Sequence, residues 1–330
     1  MMLSRVANLI YWMDRYLERA DNVARFIEVN MHLILDLELK SDSAIIWQPL
    51  LEASGDTLTF NKQYNEVNEE NVLHFLTFDR KNPNSIISCI QRARENARAV
   101  REIISSEMWE CINDLHHLVQ KHSRKSSLND LQNFYKQIRL TTYLFIGIAE
   151  VTQAHVESWH FSNLGRMLER ADKTARIIDV KYFLLLPGPD YFDSPLDAVE
   201  WGAVLKSASA FEMYRKSYQR INYKDVADFL IFNPNFPRSL NYCVSAASNS
   251  LQQIMASLES NAISMPIEMT KLLQMVKEAN VEQVLTNGLH EFIDDFQFNL
   301  NVLDQLIYNT YFSQQCVEKL PNNTTTQSTE

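Results

Sequence analysis

Glycine scarcity narrows the folds open to this chain more than any other feature. There are 6 glycines in 330 residues, where average usage of roughly 7% would supply about 23. Prolines number 9. Few positions can take φ > 0 without cost, which argues against a fold built on tight β-hairpins. Nowhere do two glycines form a Gly-x-Gly pair, so neither a dinucleotide fingerprint nor a P-loop is present. The chain is 46% hydrophobic, enough to bury a sizeable core, and the reading is a globular, all-α protein. Composition alone names no function.

A repeat refines this. Arg15–Val29, RYLERADNVARFIEV, matches Arg166–Val180, RMLERADKTARIIDV, at 10 of 15 positions. Trp47–Ile90 then aligns without gaps with Trp201–Val244, at 12 of 44 positions, including Trp47/Trp201, Pro83/Pro237, Ser85/Ser239 and Cys89/Cys243. The lag grows by three residues where the second copy carries the turn-rich LPGPDYFDSP. Two homologous halves follow, 1–150 and 151–315, packed as one pseudo-symmetric helical bundle. The tail 316–330 has no apolar face and is expected to be disordered. Helical spacing predicts helices over Arg5–Leu39, Val156–Leu186, Ser85–Gln120, Leu128–His160, Leu240–Glu259, Pro266–Ala279 and His290–Cys316, with others beginning near Ile45 and Asp197.

A formal charge of −10 argues against bulk duplex binding, so no nucleic acid partner is expected. Cys89, Cys111, Cys243 and Cys316 lack metal-type spacing and read as free thiols; neither a metal nor a cofactor is expected. The N-terminus lacks a signal-peptide apolar core, and no run reaches the roughly 18 apolar residues of a span. A cytoplasmic location away from the membrane follows, where the Asn322 and Asn323 sequons would stay unmodified.

On a helical wheel Tyr11, Asp14, Arg15, Glu18, Asp21, Asn22 and Arg25 share one face, opposite Leu9, Met13, Leu17, Ala20, Ala24 and Ile27. Arg19 projects among Trp12, Tyr16, Val23 and Phe26, and Arg170 holds the same place in the second copy. Such an arginine needs a carboxylate, an anionic ligand or a path to water. Adjacent helical residues do not face each other, so Glu18 cannot serve Arg19. Cross-half pairing, Arg19 with Glu169 or Arg170 with Glu18, is one solution; a ligand site is the other. Arg94, Arg98 and Arg101 form a cationic stripe beside the apolar row Ile86, Ile90, Ala93, Ala97, Val100 and Ile104. The aligned positions are Ser248, Gln252 and Met255, so the stripe belongs to one half. It predicts an anion site shared with the Glu-Arg helices, or structural pairing with acids such as Asp21 or Asp172.

These blocks, MLSRVANLIYWMDRYLERAD, NPNSI…RARENARAVRE…MWECIN, NLGRMLERADKTAR and FPRSLNYC, resemble the bacterial alpha-E domain family, an α-helical domain named for its Glu-Arg motif. The resemblance covers nearly the whole chain up to about Cys243. It carries over Glu18, Arg19, Asp21, Arg25, Asn82, Arg94, Glu95, Asn96, Arg98, Arg101, Glu169, Arg170, Asp172 and Arg176 as candidate anion- or substrate-binding positions. It further implies a neighbouring or fused circularly permuted ATP-grasp ligase, often with a transglutaminase-like protein. The expected role is a non-catalytic substrate-binding or scaffold partner in an ATP-dependent peptide-forming or peptide-tagging system, taking an anionic peptide or carboxylate. The alternative is a helical enzyme acting on the ligase product, with Glu18 or Glu169 as acid–base group.

Overall fold

The computed structural model describes residues 2–36, 44–123, 131–184, 195–257 and 264–313. Among them every regular element is helical. In chain order they are α1 (Ser4–Asp36), α2 (Ala44–Ser54), α3 (Thr57–Asn61), α4 (Glu69–Thr77), α5 (Ile86–Ala99), α6 (Ser106–Ser123), α7 (Leu131–Thr152) and α8 (Glu157–Leu184). Then follow α9 (Pro195–Ser207), α10 (Phe211–Ser217), α11 (Tyr223–Phe232), α12 (Leu240–Ser257), α13 (Ile267–Lys277), α14 (Val281–Asn287) and α15 (Leu289–Ile307). A π-helical turn, Tyr308–Phe312, closes the described chain. The all-α expectation holds for these residues. The tail 316–330, the two sequons and Cys316 lie outside them.

Two predicted helices are each two. The Ser85–Gln120 segment breaks after Ala99, where Val100 leaves helical geometry at ψ 24. Ser105 then starts α6, its Oγ accepting from the Met108 amide at 3.2 Å. A serine that caps the next helix competes with helix continuation, and no glycine or proline announces the break. Leu128–His160 likewise parts between Thr152 and Glu157. Pro83 and Pro237 each stand two residues before a capping serine. Ser85 Oγ accepts from Ser88 N at 3.3 Å and Ser239 Oγ from Tyr242 N at 3.1 Å.

α1 and α8 form the centre. α1 packs on α8, α5 and α7, and α8 also packs on α12 and α15. The hydrophobic core draws on residues from Ala7 to Phe312. Gly165 sets the closest approach: a Cβ there would lie 2.4 Å from the Tyr11 carbonyl oxygen of α1, a distance no side chain permits. The face of α1 that reads as polar is not a solvent face. Asp14, Glu18, Asp21, Asn22 and Arg25 are all buried, as are Leu17, Ala20, Ala24 and Ile27. A helix covered on all sides must pair its charges internally.

Candidate functional site

Those charges meet those of α8 in two clusters. In the first, the Glu18 carboxylate accepts from Arg170 Nε at 3.0 Å and Nη2 at 2.8 Å, a two-pronged bridge between the helices. Arg238, from the turn before α12, donates to Glu18 at 2.8 Å through Nη1 and to Asp21 at 2.8 Å through Nη2. Arg25 also bonds Asp21, its neighbour one turn earlier, and Asn22 accepts from Arg238 at 3.1 Å. Arg166 sits 3.6 Å from Asp14 at the edge. Arg238 and Arg170 are both buried; guanidinium groups fill this cluster.

The second cluster has the reciprocal bridge. Glu169 accepts from Arg19 Nε at 2.7 Å and Nη2 at 2.9 Å, and from Arg15 Nε at 3.0 Å. Both pairs expected from the sequence, Arg19 with Glu169 and Arg170 with Glu18, are therefore present between α1 and α8. Arg19 also donates to Asn84 Oδ1, while Asn84 Nδ2 donates to Asp56 at 2.7 Å. Lys173 Nζ lies 3.2 Å from Asp172 and 4.0 Å from Glu169. Arg176 Nε contacts both Asp172 oxygens at 3.0 Å, and Arg15 with Tyr11 binds Asp304 of α15. This cluster is not filled. A polar cavity of about 180 Å³ opens on it, lined by Arg15, Arg19, Asn84, Lys173 and Arg176, with Asp172 and Asp304 on the wall.

Electrostatics fixes the state of the glutamates. Burial alone would raise the Glu18 carboxyl, but Arg170 and Arg238 outweigh it and hold the group well below the usual carboxylate range. Glu169 is likewise pushed up by burial and pulled further down by Arg19 and Arg15. Both are essentially unexposed. A carboxylate locked ionised between guanidinium groups is a poor proton carrier near neutrality; the arrangement binds and staples. Burial lowers Arg25, with Arg238 adding to it, and raises the Cys89 and Cys243 thiols to about 12, as inert buried thiols should be.

The cationic stripe departs from its expected place. α5 turns Ala93 and Ala97 into the core, and Asn96 Nδ2 donates to the Leu9 carbonyl of α1 at 3.1 Å. Arg94 and Arg101 consequently face α6. Arg94 Nε donates to Asn113 at 2.8 Å, and the Arg94 and Arg101 guanidinium groups lie 5.5 and 5.1 Å from the Trp109 ring. α5 ends at Ala99, so Arg101 leaves the helical stripe, and Arg98 is exposed. The anion site expected from the stripe and the Glu-Arg helices together does not assemble. Two of the like charges share an indole rather than an acid. Glu95 accepts from Gln91 on the exposed surface. Asn82 shapes its turn, donating to Phe75 O at 3.1 Å and accepting from Asn84 N at 2.8 Å.

Thus Glu18, Arg19, Asp21, Arg25, Glu169, Arg170, Asp172 and Arg176 come together, whereas Asn82, Arg94, Glu95, Asn96, Arg98 and Arg101 belong elsewhere. Sequence reasoning missed Lys173, Asn84, Asp304 and Arg238 as members. The aligned pairs Asn84/Arg238 and Asn22/Lys173 were visible in the repeat and were the signal. Away from these clusters, His290 Nδ1 lies 2.7 Å from Asp179 and Nε2 lies 3.2 Å from Asp294. An imidazole with a carboxylate on each nitrogen is arranged as a paired cation.

Fold and clusters define an all-helical domain whose two central helices exchange Glu-Arg bridges. The chain belongs to the Alpha-E family, described as a predicted alpha-helical domain with a conserved ER motif, whose profile matches residues 2–312. Its Glu-Arg dipeptides, Glu18-Arg19 and Glu169-Arg170, are the residues of those bridges. Uncharacterized protein Mb2597 of Mycobacterium bovis is 22% identical over 304 residues, covering 86% of this chain and 34% of the relative. Uncharacterized protein Rv2567 of Mycobacterium tuberculosis has the same identity and coverage. The chain thus spans about a third of the length of the curated relatives it matches. No solved structure matches it significantly. Among the described residues, no helix is long and apolar enough to cross a membrane.

Proposed function

We propose that this chain is a non-catalytic substrate-binding or scaffold partner of a circularly permuted ATP-grasp ligase. It acts in the cytoplasm, in an ATP-dependent peptide-forming or peptide-tagging system, and a transglutaminase-like protein is a further partner. The observation that carries the binding role is the contrast between locked glutamates and an open, cation-lined cavity beside them. Glu18 and Glu169 are engaged as structural counter-ions, so the free capacity of this centre lies in donors. Membership of the Alpha-E family supports the partnership, through the resemblance that ties such domains to these ligases. The length of the curated relatives fits it too, since each holds further chain beside the matched part.

The reciprocal bridges, Glu18 to Arg170 and Glu169 to Arg19, also support an internal duplication into halves 1–150 and 151–315 packed as one body. Co-purification with a circularly permuted ATP-grasp ligase from the same organism, with and without ATP, tests the partnership. A stable or ATP-dependent complex, with no peptide turnover by this chain alone, is expected. Turnover by the isolated chain that disappears in Glu169→Gln, with the fold retained, would instead establish the enzyme reading. Failure to associate under either condition removes the scaffold role.

A further inference from the structure

The two clusters share their wiring and differ in one volume. In the first, the Arg238 guanidinium fills the space between Glu18 and Asp21. In the second, the aligned residue is Asn84, whose shorter side chain ends on Arg19 and Asp56. The residues aligned with Glu18 and Asp21, Glu169 and Asp172, therefore have no guanidinium between them and share only the Lys173 ammonium, 4.0 and 3.2 Å away. Lys173 replaces the aligned Asn22, so one charge lost at position 84 returns on the opposite wall. The cavity of about 180 Å³ lies far above the roughly 10–15 Å³ that a single water needs.

We infer that this cavity binds one carboxylate group of a small molecule or peptide, gripped by Arg176 and Lys173. Four cations, Arg15, Arg19, Lys173 and Arg176, stand against Asp172 and Asp304 on the wall and Glu169 beneath it. A monoanion brings less charge than a phosphate dianion up to Asp172, Asp304, Glu169 and the Asn84-bound Asp56, which repel the dianion more strongly. Among the described residues, Arg176 Nη1 and Nη2 have no hydrogen-bond partner, because Nε alone engages Asp172. They present the planar two-donor fork that matches a carboxylate. Lys173 is buried; its Nζ lies 3.2 Å from Asp172 and 4.0 Å from Glu169 and reaches Ser54 O only at 3.5 Å, so a ligand carboxylate would share this ammonium with Asp172. Gly55 keeps the mouth clear: at φ +81 it disfavours a side chain, and a Cβ there would lie 3.0 Å from Arg176 Nη1.

The inference rests on the substrate-binding half of the proposed function. Calorimetry with four probes tests it: N-acetylglycine (a terminal carboxylate), N-acetylglutamic acid α-amide (a side-chain carboxylate), N-acetylglycinamide and inorganic phosphate. Saturable binding of at least one carboxylate is expected, with the uncharged amide silent, and the stronger of the two acids identifies the source. Asn84→Arg with Lys173→Asn rebuilds the filled cluster and should weaken that binding by about tenfold or more while the thermal midpoint stays. Arg176→Gln, a milder change on the rim, should weaken it likewise should the double variant fail to fold. No saturable carboxylate binding, equal binding by the amide, tighter binding of phosphate, or undiminished binding by the folded variants overturns the inference. Co-purification of wild type with the ligase separates the two failures. Association without carboxylate binding sinks only the cavity, and carboxylate binding without association sinks only the partnership.

Discussion

Replacing Glu18 by Gln removes one carboxylate and keeps the side-chain volume. Two buried arginines, Arg170 and Arg238, lose three charge-assisted hydrogen bonds of 2.8–3.0 Å. Arg238 keeps Asp21; Arg170 keeps only the Pro237 carbonyl at 3.3 Å. An uncompensated charge of this kind costs about 3–5 kcal/mol, far more than the pair itself contributes over an apolar replacement. Urea unfolding at pH 7, followed by far-UV circular dichroism, should therefore show a loss of that size for Glu18→Gln. Arg170→Gln alone should cost less, because Glu18 keeps Arg238. In the double variant the losses should fall short of their sum by about 1–3 kcal/mol, since the second change removes the stranded charge. Additive losses, or a Glu18→Gln effect below about 1 kcal/mol, would refute the claim that this bridge holds α1 to α8.

Acid should act through the same groups. Glu18 and Glu169 have folded pKa values depressed below the ordinary 4.5, so their contribution is present above that value and is lost as pH falls further. Asp14, raised by burial, works in the opposite sense. Wild type should lose stability below pH 4.5 more steeply than Glu18→Gln, and parallel profiles would contradict this. Gly165→Ala should cost about 1–3 kcal/mol or more by forcing α1 and α8 apart; a neutral result would mean that the helices separate freely. Arg98→Gln, on an exposed position, should change the unfolding free energy by no more than about 0.5 kcal/mol. A large loss would restore the stripe to a structural role. His290 has a pKa raised by Asp179 against the lowering effect of its partial burial. Its contribution is full below pH 6.5 and fades as pH rises through the folded value, so His290→Gln should be more destabilising at pH 5.5 than at pH 8.5.

Much of the fold was legible because glycine scarcity and helical spacing are local signals. The Glu18/Arg170 and Arg19/Glu169 pairs were legible because each arginine sat among apolar neighbours and could not reach the adjacent glutamate. The break after Ala99 was not, since Ser105 acts by capping a helix that the apolar row Val100–Ile104 continues to favour. The arginine stripe misled for a related reason. Spacing puts Arg94 and Arg98 on one line of α5, but which neighbour that line faces depends on how Ala93 and Ala97 seat the helix on α1. The cavity was hidden because its outer wall, Asp304 on α15, comes from a distant segment with no aligned counterpart. Its inner wall depends on the absence of a side chain at Asn84 as long as Arg238.

The most direct test is a carbon-13 NMR titration of the Glu18 and Glu169 side-chain carboxyl carbons in the folded protein. If both are counter-ions in a staple, neither signal moves between pH 8 and the ordinary glutamate value of 4.5, while exposed glutamates titrate normally. A transition of either residue between about pH 5 and 8, the range expected of a working acid–base group, would contradict the structural assignment.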